Sequence, residues 1–288
     1  MKFVHIISLF LSLLLLLSSC VDDGLIEEEV MDALPKVKVI TDKYEVGLFE
    51  MSLLEISSDR YPKNSLKNSF MFSEIMDSLI WNIPGEFKDK SHANYFLANK
   101  GQVFIRPAKY KFEITGYKGG NIISKDSLEI NVVDKYDFLG VNWKALKDSS
   151  FATYDNTILD IRFRLKTFRL STGPVATLHY QTSSDYKIEN RTNFAARSKK
   201  ILTDYITELY GIPKYDENSV ANRWLPPFKT MFESDFKYQL ATDEVPLTIW
   251  ETKTSRIALI EKKYLEKEEN RYYWIIAEPF ERSLNYQK

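Results

Sequence analysis

The sequence predicts a two-domain protein in which an all-β sandwich is followed by an α+β domain, with one main helix on a mostly antiparallel sheet. Three observations predict this fold class. From about residue 36 to 134, apolar and polar residues alternate with the period of half-buried strands. The alternation then breaks between Asp137 and Ser150. After the break comes the clearest helical pattern of the chain, with strand patterns on both sides of it.

The predicted first domain spans residues 36–140. Its strand patterns are PKVKVIT, DSLIWNI, AKYKFEITGY and SLEINVV, in which every second residue is apolar. In the third of them, Phe112 and Ile114 alternate with charged neighbours, so one face covers a core and the other meets water. Gly119 and Gly120 fit the turn of the last hairpin because glycine accepts a positive φ. Several short strands within about 100 residues are typical of a sandwich.

These segments resemble the PKD or immunoglobulin-like modules of Bacteroidota lipoproteins. The resemblance covers about the first third of the mature chain and is carried by pattern, without a signature motif. It implies that Trp81 lies on a central strand, that PAKYKFEITGY is a late strand with a core tyrosine, and that YKGGNIISKDSLEINVVD is the last hairpin. Modules of this kind serve as spacers or binding platforms.

The predicted second domain spans residues 141–288 and opens with the strand pattern ILDIRFRLKTF. Phe163 and Leu165 share one face of this strand. The alternation slips at Thr167 and Phe168, which predicts a bulge or a turn there. The segment VATLHYQT is expected to pair with this strand across a turn at STGP.

The main helix is predicted over NFAARSKKILTDYITELYGIP. Asn193 is available as its N-cap, and Gly211 and Pro213 mark its C-terminal end. One apolar stripe needs a sheet to cover it, and the segments PLTIWET, SRIALIEKK and RYYWIIAEPF are the expected strands. The string ITELYGIP, followed by Trp250 and RIALIEK, is similar to small uncharacterised domains of bacterial lipoproteins, which implies architecture only. The predicted stripe comprises Phe194, Ile201, Leu202, Tyr205, Ile206 and Leu209.

Residues 1–19 have the three parts of a secretory signal peptide: a basic Lys2, an apolar run and two small residues before Cys20. The run is shorter than the roughly 20 apolar residues of a membrane span. Leu17-Ser18-Ser19-Cys20 resembles the lipobox of bacterial lipoproteins, which implies that Cys20 is acylated and becomes the first mature residue. More than one acyl chain is needed because a single chain anchors reversibly. The alternative is that Cys20 is a small residue near an ordinary cleavage site.

Residues 20–35 are predicted to be an acidic tether. Six acidic residues and no basic residue occupy the stretch VDDGLIEEEVMDALP, and like charges favour an extended chain. The stretch resembles the acidic segment after the lipidated cysteine of surface-exported Bacteroidota lipoproteins. This implies an outer-membrane lipoprotein at the cell surface. A solvated spacer that points into the periplasm is the alternative.

Catalytic motifs are missing from the sequence. Beyond the signal, the histidines are His92 and His179, and there is no HExxH, no cysteine set and no GxSxG. We therefore expect neither a metal nor a cofactor, and His179 is expected to be a satisfied or exposed strand residue. The formal net charge of −1 argues against nucleic acid as a partner. A lipid-anchored hydrolase remains an alternative if the fold assembles two acids, for which Asp235, Asp243 and Glu244 are candidates.

Two groups of residues are candidates for binding. The loop NRWLPPFKTMF brings together Arg223, Trp224 and Phe228, and rigid rings of this kind suit the apolar faces of sugars. Its alternative role is to close the core. The second group is a basic row of Arg162, Arg164 and Lys166, with Arg191, Lys199 and Lys200 as candidate additions. The row suits an acidic glycan or lipid headgroups, and its alternative is a solvated sheet face.

The sequence thus predicts a non-catalytic accessory lipoprotein. The membrane is its partner through acylated Cys20, and a polysaccharide or an outer-membrane protein is the expected target. The sandwich would act as a spacer, and the α+β domain would present the binding surface. A structural role in the envelope is a further alternative.

Overall fold

The computed structural model describes residues 36–58, 76–82, 88–92, 99–146, 149–156, 161–181, 191–216, 228–263 and 271–280. The predicted signal peptide and tether, with Cys20, lie outside these ranges. The described chain is mostly β-strand with few helices, as the sequence predicts. No helix in the described ranges is long and apolar enough to cross a membrane.

The first eight strands form two sheets, which we call the N-terminal sheets. Their strand orders are β1-β3-β6 and β2-β8-β7-β4-β5. The strands are β1 (Val37–Thr41), β2 (Glu45–Gly47), β3 (Met51–Ser58), β4 (Ser78–Asn82), β5 (Lys88–His92), β6 (Asn99–Val103), β7 (Ala108–Lys118) and β8 (Asn121–Val133).

The four strand patterns predicted for this region are β1, β4, β7 and β8. Phe112 and Ile114 are buried on β7, and Trp81 is fully buried on β4, which lies between β5 and β7. Gly119 and Gly120, with φ of 56° and 84°, form the predicted turn between β7 and β8. Positive φ carries a steric penalty for other residues, so glycine suits both positions.

The rest of the chain builds one seven-stranded sheet and two helices. The sheet is antiparallel throughout its described pairings, in the order β12-β13-β14-β15-β11-β10-β9. Its elements are β9 (Ser149–Asn156), β10 (Ile161–Leu170), β11 (Gly173–Gln181), α1 (Arg191–Tyr210), β12 (Tyr215–Asp216), α2 (Phe228–Asp235), β13 (Glu244–Glu251), β14 (Ser255–Lys263) and β15 (Arg271–Pro279).

A different helix packs on each of the two faces of the seven-stranded sheet. Helix α1 packs on the face that we call inner, where Leu202, Tyr205 and Ile206 join the core cluster of the strands. Helix α2 packs on the opposite, outer face through Phe232, and Phe236, which directly follows the helix, packs there too. Consecutive strand residues point to opposite faces, and both faces of the central strands are covered, so these strands carry continuous apolar runs.

The bulge predicted in β10 at Thr167 and Phe168 is wrong. The strand pairs regularly with β9 and β11 through Thr167 and Phe168. Thr167 occupies a buried inner-face position, where its hydroxyl lies 2.6 Å from the Ser150 Oγ. Phe168 packs against the outer-face cluster. The phase slip in the sequence therefore marks the end of the strand, where the inner face holds a hydrogen-bonded threonine and the outer face an apolar ring.

The main helix differs from its prediction at one end. Helix α1 begins at Arg191, so Asn193 lies inside its first turn and is not the N-cap. The C-terminal end is as predicted: Gly211 has a φ of 84°, and its N–H donates to the Thr207 carbonyl at 2.9 Å. Helix starts are weakly specified when several polar residues stand in a row, as in the segment ENRTN.

Residues 134–146, which we call the junction, connect β8 to β9. They cover the predicted break, yet Phe138, Leu139, Val141 and Trp143 are all buried there. The indole N–H of Trp143 donates to the Ser255 Oγ on β14 at 2.9 Å. Buried residues of all three sheets belong to one contiguous hydrophobic cluster. The junction is therefore a packed element of the structure.

Side chains of α1 strengthen this attachment to the N-terminal sheets. The Tyr205 hydroxyl donates to the Ile105 carbonyl at 2.7 Å, and Arg106 makes a bidentate ion pair with Glu208 at 2.7 and 2.9 Å. The Tyr210 hydroxyl donates to Asp134 and accepts from the Leu139 N–H, both at 2.7 Å. These contacts orient the seven-stranded sheet against the N-terminal sheets.

Candidate functional site

The predicted basic row lies on the outer face of β10. Arg162, Arg164 and Lys166 alternate with buried Phe163 and Leu165, so the three cations share one face as the sequence predicts. Lys166 is exposed, and the two arginines are half-buried. Helix α2 packs against β13 and against residues nearer the other edge of the sheet. The row lies toward the β9 edge.

An exposed phenylalanine accompanies the row. The pairing of β9 with β10 places Phe151 opposite Lys166, and Phe151 is 71% exposed. The guanidinium carbon of Arg164 lies 5.8 Å from the centroid of the Phe151 ring, within the range of a cation–π contact. The edge strand thus adds an aromatic surface to the cations.

On the other side of the row, strands β11 and β15 contribute an aromatic cluster. His179 lies opposite Arg164 on β11 and opposite Trp274 on β15. Its ring stacks with those of Tyr272 and Trp274, at centroid distances of 5.8 and 6.4 Å. We call the set Phe151, Arg162, Arg164, Lys166, His179 and Tyr272 the cationic face.

His179 has a structural role on this face. Its Nδ1 lies 2.7 Å from the Tyr272 hydroxyl, and its Nε2 lies 3.1 Å from the Thr177 Oγ1. Burial, followed by the nearby charges of Lys166 and Arg164, lowers the pKa of His179 to about 4. The imidazole is therefore neutral at neutral pH, with a partner at each nitrogen. This agrees with the expected satisfied strand histidine.

The other predicted binding residues lie apart from the basic row or outside the described residues. Arg223 and Trp224 lie outside the described residues, and Phe228 is the first residue of α2. Lys199 and Lys200 belong to α1, which packs on the inner face, so they do not extend the basic row. A helix prediction alone could not show which face of the sheet the helix would cover.

The three acids considered for hydrolysis do not line one cavity. Asp235 lines a cavity of about 690 Å³ at the end of the sheet, together with Glu251 and Glu278. Asp243 and Glu244 lie elsewhere and share Lys262, at 3.4 Å from each. Among the described residues, no group of three His, Cys, Asp or Glu side chains could hold a metal ion.

Glu278 is also committed to the fold. It is buried and accepts the backbone N–H groups of Lys237 and Tyr238, which follow α2, at 2.8 and 2.6 Å. Burial raises the pKa of Glu278 above its ordinary value, although these two donors oppose the rise. The carboxylate therefore fixes the segment after α2 against the end of β15.

The alternating residues of β10 predict the basic row, whereas the sequence alone did not identify Phe151 or the aromatic cluster as part of the site. Phe151 stands in SSFATYDN, a segment whose strand character was not predicted. Tyr272 and Trp274 were assigned to a strand, but only the pairing of β11 with β15 brings them next to His179. A pairing between strands distant in sequence leaves no local signal.

No protein-family model matches the sequence, and no curated protein matches it. One similar solved structure comes from a study of the promiscuous specificity of carbohydrate-binding modules of the β-sandwich superfamily. The two chains are 10% identical with a TM-score of 0.26, and the match covers 50% of this chain and 57% of that one. This chain therefore matches little more than half of the module's length, and the likeness does not establish a common fold.

Proposed function

We propose that this protein is a lipid-anchored, non-catalytic binding protein whose cationic face holds an acidic polysaccharide. One observation carries the proposal: Arg164 lies over a largely exposed Phe151, beside Lys166 and Arg162, on one sheet face. Positive charge and an exposed apolar ring on the same surface match the two features of an acidic sugar, its carboxylate or sulfate group and its apolar C–H face.

The arrangement suits a chain ligand. Successive cations of the row are two residues apart on β10, which is about 6.8 Å along an antiparallel strand. Each contact at an exposed position is worth only about 0–1 kcal/mol. Useful affinity therefore requires several contacts at once, which a polymer with repeated charges supplies and a single small anion does not.

The cellular placement belongs to the same proposal. The Leu17-Ser18-Ser19-Cys20 motif supports acylation at Cys20, and the acidic residues that follow support export to the cell surface. Residues 36–140 would form the immunoglobulin or PKD-like spacer, and residues 141–288 the α+β domain that carries the cationic face. The packed junction would make this spacer present the face in one orientation.

Binding of the full lipoprotein in detergent to immobilised polysaccharides tests the proposal. Polygalacturonate and alginate are the acidic probes, and dextran is the neutral one. The double variant Arg164→Glu/Lys166→Glu should weaken binding to an acidic probe roughly tenfold or more, because it removes attraction and adds repulsion. Lys38→Glu, at an exposed position of β1, is the matched control and should change little. Added salt should weaken wild-type binding.

Two results would contradict the proposal. Equal loss in the double variant and in Lys38→Glu would show a general charge effect. Binding to vesicles of anionic phospholipid but to neither acidic polysaccharide would assign the face to lipid headgroups instead. The intact mass of the same preparation tests the anchor, since an unmodified cysteine at position 20 would remove the proposed attachment.

A further inference from the structure

A second surface of interest is a cleft where the junction meets both the N-terminal sheets and the seven-stranded sheet. Its volume is about 440 Å³, which lies in the usual range of ligand pockets. Such pockets occur preferentially where structural units meet. We call this space the junction cleft. Its main walls are Leu48 and Phe49 of the β2–β3 turn, Tyr136 and Leu139 of the junction, and Ala152 and Leu165 of the sheet.

Unusual backbone conformations concentrate around this cleft. In the described chain, the non-glycine residues with positive φ are Phe49 at 57°, Asp137 at 76° and Leu139 at 47°. Phe49 and Leu139 line the cleft, and Asp137 follows the lining residue Tyr136. Left-handed conformations cost free energy for such residues and persist only where the surroundings hold them. Strain of this kind clusters at binding sites, where it keeps a wall in a fixed position.

Close backbone contact holds the two walls of the cleft together. Gly140 lies against the β2–β3 turn so tightly that a Cβ at this position would be 2.5 Å from the Leu48 carbonyl oxygen. The Phe49 N–H donates to the Phe104 carbonyl at 2.9 Å. The cleft is therefore preformed, which lowers the entropic cost of binding a ligand.

The chemistry of the lining points to an uncharged ring. Tyr136, at 45% exposure, supplies aromatic surface among the lining residues. The charged lining residues already have partners: the Glu50 carboxylate lies 2.5 Å from the Lys43 Nζ, and Lys135 is paired with Glu45 at 3.2 Å. An ion in the cleft would compete with these pairs, whereas an uncharged ligand would not.

We propose that the junction cleft binds one uncharged sugar residue. The apolar C–H face of the sugar packs on the ring of Tyr136, and its hydroxyls exchange hydrogen bonds with polar groups of the rim such as Asn142 and Glu50. An apolar floor with a polar rim suits a pyranose better than an acyl chain, which would leave the rim groups facing hydrocarbon. This site is separate from the cationic face in both charge and expected ligand.

Binding of methyl glycosides to the full chain tests the inference. The probes are the methyl glycosides of glucose, galactose, mannose and N-acetylglucosamine, with methyl glucuronide as the charged comparison. Saturation-transfer NMR detects contact, and titration calorimetry gives the affinity. At least one neutral glycoside should bind with a Kd of about 1 mM or lower, and tighter than the glucuronide.

Four variants separate the cleft from other surfaces. Tyr136→Ala should weaken binding about fivefold, because it removes one ring contact. Ala152→Leu should block binding by filling the cleft, and its thermal unfolding checks that it remains folded. Tyr44→Ala is the matched control, because this tyrosine is also exposed, at 64%, and does not line the cleft. Arg164→Glu/Lys166→Glu should leave glycoside binding unchanged. Loss of glycoside binding at the cleft and loss of polysaccharide binding at the cationic face can therefore be told apart.

The inference is overturned if none of the neutral glycosides binds at millimolar concentration. It is equally overturned if the glucuronide binds more tightly than all of them, or if Tyr44→Ala weakens binding as much as Tyr136→Ala. In those cases the strained backbone of the junction serves only to join the sheets.

Discussion

Replacing Asp137 by alanine should loosen the junction from the seven-stranded sheet. The Asp137 carboxylate accepts hydrogen bonds from the N–H of Thr254 at 2.7 Å, from the Thr254 hydroxyl at 2.8 Å and from the Thr252 hydroxyl. A hydrogen bond to a charged group contributes about 1.5–3 kcal/mol. Because Asp137 is only half-buried and the three bonds share one acceptor group, we expect the free energy of unfolding to fall by about 3 kcal/mol.

The backbone at position 137 requires matched variants. With a φ of 76°, alanine adds a steric cost of about 1 kcal/mol that glycine avoids. Asp137→Gly therefore isolates the loss of the carboxylate from the steric strain, although it also makes the unfolded chain more flexible. Asp137→Asn keeps one acceptor oxygen and tolerates positive φ, so its loss should be about 1 kcal/mol.

Urea unfolding, followed by tryptophan fluorescence, gives the change in free energy. Hydrogen exchange at the Thr254 N–H gives a local readout, since this amide should lose protection in Asp137→Ala and retain part of it in Asp137→Asn. A loss below about 0.5 kcal/mol in Asp137→Ala, with unchanged protection of Thr254, would refute the reasoning, because the carboxylate would then not hold the junction to the sheet.

Two further predictions concern the junction and the cationic face. Gly140→Ala should lower the free energy of unfolding by more than about 2 kcal/mol, because the new Cβ would meet the Leu48 carbonyl at 2.5 Å and φ is 72°. Gly120→Ala is the control, because its φ is 84° and open space surrounds the new Cβ, so it carries only the cost of the positive φ. If both variants lose the same free energy of unfolding in urea, the argument from the close contact with Leu48 is contradicted. His179 has a pKa of about 4 in the folded chain against an ordinary value of 6.5. Between these two pH values the unfolded chain therefore binds a proton that the folded chain does not bind. The resulting contribution to the free energy of unfolding is fully present above pH 6.5 and declines by up to about 3 kcal/mol as the pH falls to 4. In urea unfolding at several pH values, His179→Phe should make this decline smaller. An unchanged pH dependence in the variant would contradict the lowered pKa of His179.

Local patterns determined much of the strand inventory. A two-residue period places side chains on alternate faces whatever the strand pairs with, so β7 and β8 could be predicted from their own residues. The same reasoning placed Arg162, Arg164 and Lys166 on one face. It failed at Thr167 and Phe168, because this end of β10 puts a hydrogen-bonded polar residue on the inner face and an apolar residue on the outer face.

The end of the main helix was predicted better than its start. Gly211 marks the end through a backbone property of glycine itself. The start depends on which of several neighbouring polar residues caps the helix, and the sequence around Asn193 offers more than one. The packing of α1 on the sheet is a tertiary matter that helix periodicity does not address.

By itself, the sequence determined which residues alternate, where the chain turns, and which cations share a face of β10, because these follow from the geometry of a single strand or helix. Only the tertiary structure decided that Phe151, His179 and Tyr272 surround those cations, and that the junction is packed against the N-terminal sheets and the seven-stranded sheet with a cleft beside it. The physical reason is that periodicity specifies the direction of a side chain, whereas its neighbours depend on strand pairing and packing between segments far apart in the chain.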